Sequence, residues 1–472
     1  MTLAEKPRDL ENFLDSVDRH GEDFDVRDVS EPRSMDVPVS EVRRRRGRLA
    51  DDLETGFRDV VLVEREGVLL WQTAEDLAGS GRGGPRRRGR RGLRRAIEGA
   101  RVLREVTVPV LQPNEYLGAL RDTDLRLNKD CDAGLRKVRR DDSRKGVKFI
   151  ATPERVAGPF TGRTLVIVHG TFSSTQNSLD EYAATDIGAA FLSDALTRYD
   201  GQVFVFDHPT LSVSPFINAL DLARALAGTT GTLDVIAHSR GGVVVRWWLD
   251  VFGDTLSGAT VRAVLAGSPL KGTSLAAPNR VQPLLNVLSN IGAFVGTTLG
   301  VAAAANPFSL ASIALLKFIV RREKNRWGFP PVKDLGDKSS VGAAVAVIPG
   351  LHGQSAVSNN YELGRLRSTS RRANVRYFAI TSDFEPERIG WKLWKVISEA
   401  GTRGKDVAAD IIFPAENDLV VDTAHMTSLA DDLDITDVQA FGSQALVHHL
   451  NYFRQPETIA SMRKWLAIAE GG

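Results

Sequence analysis

The chain has 472 residues, 42% hydrophobic and 25% charged, with a formal net charge of +2. This is ordinary globular composition for one large domain and a smaller one, and the near-neutral balance excludes a general affinity for nucleic acid or anionic membrane. The single cysteine, Cys131, excludes an intramolecular disulfide framework and a zinc site built from several cysteines, and it fits a reducing compartment.

The opening stretch, MTLAEKPRDLENFLDSVDRHGEDFDV, is acidic and holds no apolar core segment. It does not read as a secretory signal, so a cytoplasmic location is expected. A short helix is expected near Leu10–Val17 in an otherwise loose arm. Arg43–Arg48 (RRRRGR) is expected to open a helix-like segment with a solvated basic face. Asp59–Thr73 sets two apolar runs on either side of Glu66-Gly67, the pattern of a β-hairpin. Gly79–Arg95 (GSGRGGPRRRGRRGLRR) is too rich in glycine and arginine to bury a core and reads as a loop. It holds no aromatic residue to stack a base, and no nucleic-acid partner is expected. Val106–Leu111 reads as a strand. Leu135–Val138 and Val147–Thr152 form a hairpin that either closes the N-terminal region or begins the next. The expected division is a smaller β-containing domain over 1–150, of unassigned role and partner, and a main domain over 151–472.

From Thr164 the rhythm becomes regular. TLVIVHG is an apolar strand of the fully buried type, and a helix follows through Ala189–Leu196. Gly201–Leu211 gives a strand, Ile217–Leu226 a helix, LDVIAHS a strand and Arg262–Pro269 another. Strands alternating with helices predict a parallel sheet covered on both faces.

Residues from about 271 to 365 interrupt the alternation. Positions 281–316 carry no charged side chain. Asn290, Thr297-Thr298 and Asn306-Pro307 break this run below the about 20 apolar residues of a membrane span. The expectation is an apolar helical lid over an active site, with contact to a membrane surface as a further possibility and a buried helical pair as the alternative. The alternation then resumes with a strand at Asn374–Phe384, the stretch Ala409–Met426, a last strand in DITDVQAF and a terminal helix over Pro456–Ala469.

The chemistry centres on Leu233–Asp250, LDVIAHSRGGVVVRWWLD. A buried strand runs into His238-Ser239-Arg240-Gly241-Gly242, and a helix with apolar residues on more than one face follows. This strand–turn–helix with a serine at its apex is the context of a nucleophile elbow, with alanine at position 237 where the G-x-S-x-G pattern has glycine. A serine needs a base to take its proton and a carboxylate to orient that base. Asp418, in ENDLVV, and then His448 and His449 follow Ser239 in the required chain order. Asp418 is preferred over Asp383 and Asp422, and His449 over His448, which is kept as the alternative base. His238 is expected to pack or hydrogen-bond within the turn. The backbone N–H groups of Arg240 and of Thr171, which follows His169-Gly170, are the expected oxyanion donors.

With VIVHGTFSS, DVIAHSRGG, LAGSPLKGTSLA, ENDLVV and LVHHLNYF in place, residues of about 150–472 resemble the lipase/esterase branch of the α/β-hydrolase superfamily. They are similar to inositol-deacylase-type lipases that act on glycosylphosphatidylinositol anchors, and to bacterial hydrolase domains of conflict systems. The resemblance implies an α/β fold with an about eight-stranded, mostly parallel sheet, a Ser-His-Asp triad and neither cofactor nor metal. The expected activity is cleavage of a carboxylic ester with an apolar acyl or lipid group. Acyl transfer on the same triad, or a binding module that keeps the fold without turnover, are the alternatives.

Overall fold

The structure, a computed structural model, describes residues 8–21, 26–30, 57–65, 68–73, 101–109, 115–128, 133–141, 148–256, 258–276, 284–286, 288–290, 292, 307–319, 348–357, 360–369, 374–384, 417–430, 434–444 and 446–469. The arginine-rich tracts at 43–48 and 79–95, Cys131 and residues 391–416 lie outside them. The chain divides into two compact units: Met1–Ala119 with Asn279–Asp334 and Glu387–Pro414, and Leu120–Pro278 with Leu335–Pro386 and Ala415–Gly472.

In the first unit, strands β1 (Arg27–Ser30), β2 (Phe57–Arg65), β3 (Val68–Thr73) and β4 (Arg101–Pro109) form an antiparallel sheet in the order β1-β4-β2-β3. The hairpin expected around Glu66-Gly67 is β2–β3. A helix over Arg8–His20 buries Phe13, Leu14 and Val17. The described residues of the uncharged stretch belong to this unit, and Asn286 and Asn290 cover the edge of β3. Asn290 accepts the Leu69 N–H (2.8 Å) and donates to the Leu69 carbonyl (2.7 Å), while Asn286 accepts the Trp71 N–H (2.7 Å). Trp71 Nε1 donates to Ser289 Oγ at 2.9 Å. An edge strand exposes a row of unpaired polar groups, and side-chain amides satisfy them here. The helix Pro307–Ile319, buried over Ala311–Leu316, packs on Arg8–His20 and β4. Among the described residues no helix is long and apolar enough to cross a membrane.

The second unit holds β5 (Gly134–Asp141), β6 (Lys148–Val156), β7 (Arg163–Val168), β8 (Val203–Asp207), β9 (Thr232–His238), β10 (Thr260–Ala266), β11 (Val375–Phe384) and β12 (Asp437–Gln444). They form one sheet in the order β6-β5-β8-β7-β9-β10-β11-β12. β7 to β12 run parallel, and β5 is antiparallel to both of its neighbours. The β5–β6 hairpin thus opens the large sheet. It spans the division expected at residue 150, and 279–334 and 387–414 group with the first unit.

Period-two side-chain alternation builds two cores. Val166, Val168, Leu233, Val235 and Ala237 face the helices Pro215–Ala225 and Arg240–Val251. Leu165, Ile167 and Ile236 face Thr175–Ala183, Asp186–Arg198 and Pro456–Leu466. Arg240–Asp250 are all buried, which explains why that helix is apolar on more than one face. The carboxyl ends of β7, β8, β9 and β10 lead into His169-Gly170, His208, Ser239 and Gly267, at the rim where open α/β sheets place their ligands.

Candidate active site

Ser239 leaves β9 with φ 54° and ψ −127° and directly precedes the helix Arg240–Val251. A non-glycine residue in this region carries strain of about 1–3 kcal/mol and persists only where its surroundings over-determine it. Here the Ser239 N–H donates to the Ala266 carbonyl at 2.8 Å, and the Gly242 N–H donates back to the Ser239 carbonyl at 3.0 Å. A Cβ on Gly241 would stand 2.6 Å from the Val168 oxygen and 2.7 Å from the His169 oxygen. A Cβ on Gly242 would collide with the Ser268 side chain. Close backbone approach therefore dictates Gly241, and the Ser268 side chain crowds Gly242. Ala237, in register between Val168 and Leu265 and fully buried, shows that the first position of the pattern tolerates a methyl.

Asp418 and His449 come together from the loops on either side of β12. His449 Nδ1 lies 2.7 Å from Asp418 Oδ2, and the His449 N–H donates to the Asp418 carbonyl at 3.0 Å. Asp418 Oδ1 accepts the N–H groups of Val420 (3.1 Å) and Val421 (2.9 Å), across a turn in which Leu419 has φ 91°. Oδ2 also accepts the Tyr452 hydroxyl at 2.8 Å. Burial raises the Asp418 pKa, but the His449 charge and the hydrogen bonds from His449, Val421 and Tyr452 outweigh it and hold the carboxyl below its ordinary value. Gly267, at φ 54°, leaves the room this cluster occupies: a Cβ there would stand 3.0 Å from Asp418 Oδ2 and 3.1 Å from His449 Nδ1. Tyr452 was not foreseen from sequence, and its only signal is that it follows His449 within LVHHLNYF.

The alternatives are placed elsewhere. His448 accepts the Leu450 N–H on Nδ1 (3.2 Å), packs edge-on to Phe384 and is driven to a pKa of about 3, chiefly by burial. Asp422 lies 3.4 Å from His425 Nδ1. Asp383 is buried within β11.

On the other side of Ser239, a Cβ on Gly170 would come 2.7 Å from Ser239 Cβ and 3.3 Å from its Oγ. Gln354 Nε2 donates to Thr171 Oγ1 at 2.8 Å, and the Phe172 N–H, at φ 57°, donates to Thr210 Oγ1 at 3.3 Å. Thr210, Leu211 and Ser212 donate in turn to the buried carboxylate of Asp124. Asp124 stands on the helix Tyr116–Leu127, which sequence reasoning did not mark. The fully buried Arg240 guanidinium donates to the Val213 carbonyl (2.7 Å), Asn218 Oδ1 (2.6 Å) and the Gly350 carbonyl (3.3 Å). Burial lowers its pKa to about 10. Among the described residues no cluster of His, Cys, Asp and Glu has the arrangement of a metal site. The assembled parts are a hydroxyl on a strained turn, a carboxylate-bound imidazole, and a glycine turn packed against the hydroxyl.

The chain matches a family described as "Domain of unknown function (DUF7379)" over residues 133–467. No curated protein matches it. Among solved structures it is similar to the mature lipase BlEst2 of Bacillus licheniformis, at 14% identity over 66% of this chain and 96% of that one, with a TM-score of 0.34. Lipase 1 of Pelosinus fermentans gives 13% identity over 62% and 93%, with a TM-score of 0.36. Carboxylesterase CesB of Bacillus subtilis gives 12% over 77% and 100%, with a TM-score of 0.30. Strand order and the turn at Ser239 carry the assignment of the second unit to the α/β-hydrolase fold.

Proposed function

The chain belongs to the DUF7379 family, whose description assigns no chemistry, and on the geometry of its site we propose that it is a serine hydrolase that cleaves carboxylic esters. The observation that carries this reading is Ser239 on its strained turn (φ 54°, ψ −127°), with the His449–Asp418 pair held at 2.7 Å in the same unit. Ser239 Oγ attacks the acyl carbonyl while His449 Nε2 takes its proton. Asp418 accepts the Nδ1–H, sets the tautomer and stabilises the imidazolium. The N–H groups of Arg240 and Thr171 receive the tetrahedral oxyanion. Collapse expels the alcohol, which takes the proton from His449, and water then releases the acyl group by the same steps in reverse. Ser239 Oγ makes no hydrogen bond to a described residue in this structure; such contacts tighten when substrate binds.

Ser239→Ala is expected to abolish both hydrolysis of short p-nitrophenyl esters and labelling by a fluorophosphonate probe. Labelling at the wild-type level would remove Ser239 from the role. An apolar acyl group is proposed by analogy with the lipase/esterase branch that the motifs resemble, and a panel of ester chain lengths tests that preference.

A further inference from the structure

We infer that His169 is a positioning residue for the oxyanion site: its ring fixes the plane of the Gly170–Thr171 peptide and so the direction of the Thr171 N–H. This rests on the reading of Ser239 as nucleophile and deepens it.

His169 Nδ1 lies 2.9 Å from the Gly170 carbonyl oxygen. A carbonyl oxygen only accepts, so Nδ1 carries the proton. Nε2 then bears the lone pair and accepts the His208 N–H at 3.4 Å. Both contacts are met only by the neutral Nδ1–H tautomer. The His208 ring stacks on His169 at 4.1 Å and on Phe206 at 5.4 Å, and both histidines are buried. Burial lowers the pKa of both histidines and keeps them neutral. Asp207 Oδ1 is 4.0 Å from His169 Nε2, beyond hydrogen-bond reach. Its carboxylate is taken by Arg136 Nε (3.0 Å) and by the Thr175 N–H (3.2 Å) and hydroxyl (3.1 Å), so it does not draw the proton across the ring.

In a trans peptide the C=O and N–H point in opposite directions. Tying the Gly170 oxygen to the His169 ring turns the Thr171 N–H the other way, on a glycine packed against Ser239 Cβ. The rest of the turn is held independently, Thr171 Oγ1 by Gln354 and the Phe172 N–H by Thr210. The bond from His169 is what sets the peptide between them. Its chemistry is orientation of a preorganised donor, which counts where charge develops in the transition state.

The test uses the full chain and compares wild type with Ser239→Ala, His169→Asn, His169→Gln and His169→Ala. It reads steady-state hydrolysis of p-nitrophenyl acetate, inhibition by phenylboronic acid (which forms a tetrahedral serine adduct) and the urea midpoint. Asparagine places an N–H near the position of Nδ1, whereas glutamine places its amide near Nε2. Loss of an oxyanion donor costs about 10²–10³ in turnover, and misdirecting one is expected to cost about 10–10² in kcat for Ala and Gln. KM should stay within about threefold, boronate inhibition should weaken in step with kcat, and Asn should recover most of the loss. Three outcomes overturn the inference: wild-type kcat in His169→Ala, equal losses in Asn and Gln, or a loss that follows KM and the urea midpoint instead of kcat. Activity that survives in Ser239→Ala would overturn the nucleophile reading and this inference with it. Loss in Ser239→Ala beside wild-type kcat in His169→Ala overturns this inference alone.

Discussion

His238 Nε2 donates to the backbone oxygen of His449 at 2.7 Å, so the residue before Ser239 grips the loop that carries the candidate base. The acceptor is a carbonyl, which places the His238 proton on Nε2, and burial drives the pKa of this ring down to about 3. The two rings lie 4.8 Å apart. His238→Ala removes one buried hydrogen bond and the packing of the ring. It is expected to lower stability by about 1–3 kcal/mol. Its kcat should also fall, because His449 loses a fixed point. His238→Gln, which keeps a donor at the reach of Nε2, should recover part of both. Urea midpoints and kcat measured on the same preparations check this, and an unchanged midpoint in His238→Ala would refute it.

The adjacent histidines are expected to separate cleanly. General acid–base catalysis contributes about 10²–10⁴ in rate, so His449→Ala should lose turnover on that scale. His448 bonds to the Leu450 N–H and packs on Phe384 rather than joining Asp418. His448→Ala should therefore show its main effect in the denaturation midpoint. If His448→Ala is the variant that loses turnover, the assignment of the base is reversed.

What was legible in the sequence follows from the range of the interactions. The strand–turn–helix at Leu233–Asp250 is written in local pattern, an apolar run, then a serine, then two glycines where neighbouring atoms crowd the turn. The parallel sheet is likewise local, in the recurrence of buried strands. Which of His448 and His449 meets Asp418 depends on the loop between β12 and the helix Pro456–Leu466, and adjacent residues look equivalent until that loop is placed. Asp124 and Tyr452 were invisible for the same reason: one polar residue on a helix acquires meaning only through what the fold sets beside it. Asn286 and Asn290 show the converse. In sequence they interrupt an apolar stretch, and in the fold they complete the edge of β3 across more than 200 positions.

Tyr452→Phe tests how tightly the acid is held. The hydroxyl is one of the donors to the buried Asp418 carboxylate, beside His449 and the N–H groups of Val420 and Val421. A hydrogen bond to a charged group is worth about 1.5–3 kcal/mol, so the variant should lose stability on that scale. With one donor fewer, the Asp418 pKa rises toward its ordinary value, and the acid limb of the kcat/KM profile should move to higher pH. A profile that superimposes on wild type would mean that the Tyr452 hydroxyl does not act on this carboxylate.

Stability should peak near pH 6.5, because buried groups of opposite kind titrate on either side of it. His238 and His448 are held to pKa values of about 3 against an ordinary 6.5, mainly by burial. Between these values the unfolded chain binds protons that the folded chain refuses, so their stabilisation is complete above about 6.5 and is lost as pH falls. Glu181 runs the other way. Burial raises its pKa from 4.5 to about 8, so between those values the folded chain holds a proton that the unfolded chain has lost, and stability grows as pH falls from 8. Below 6.5 two protons oppose one, a net loss of about 1.4 kcal/mol per pH unit. His169 and His208, also depressed by burial, steepen it. Urea midpoints from pH 4.5 to 8.5 at fixed ionic strength should trace this maximum, and Glu181→Gln should flatten the alkaline side and steepen the acidic one, where its proton no longer offsets those of the histidines. A midpoint that keeps rising from pH 6.5 to 8.5 in the wild type would show that Glu181 is ionised in the folded chain, and a flat acidic side would show the same of the histidines.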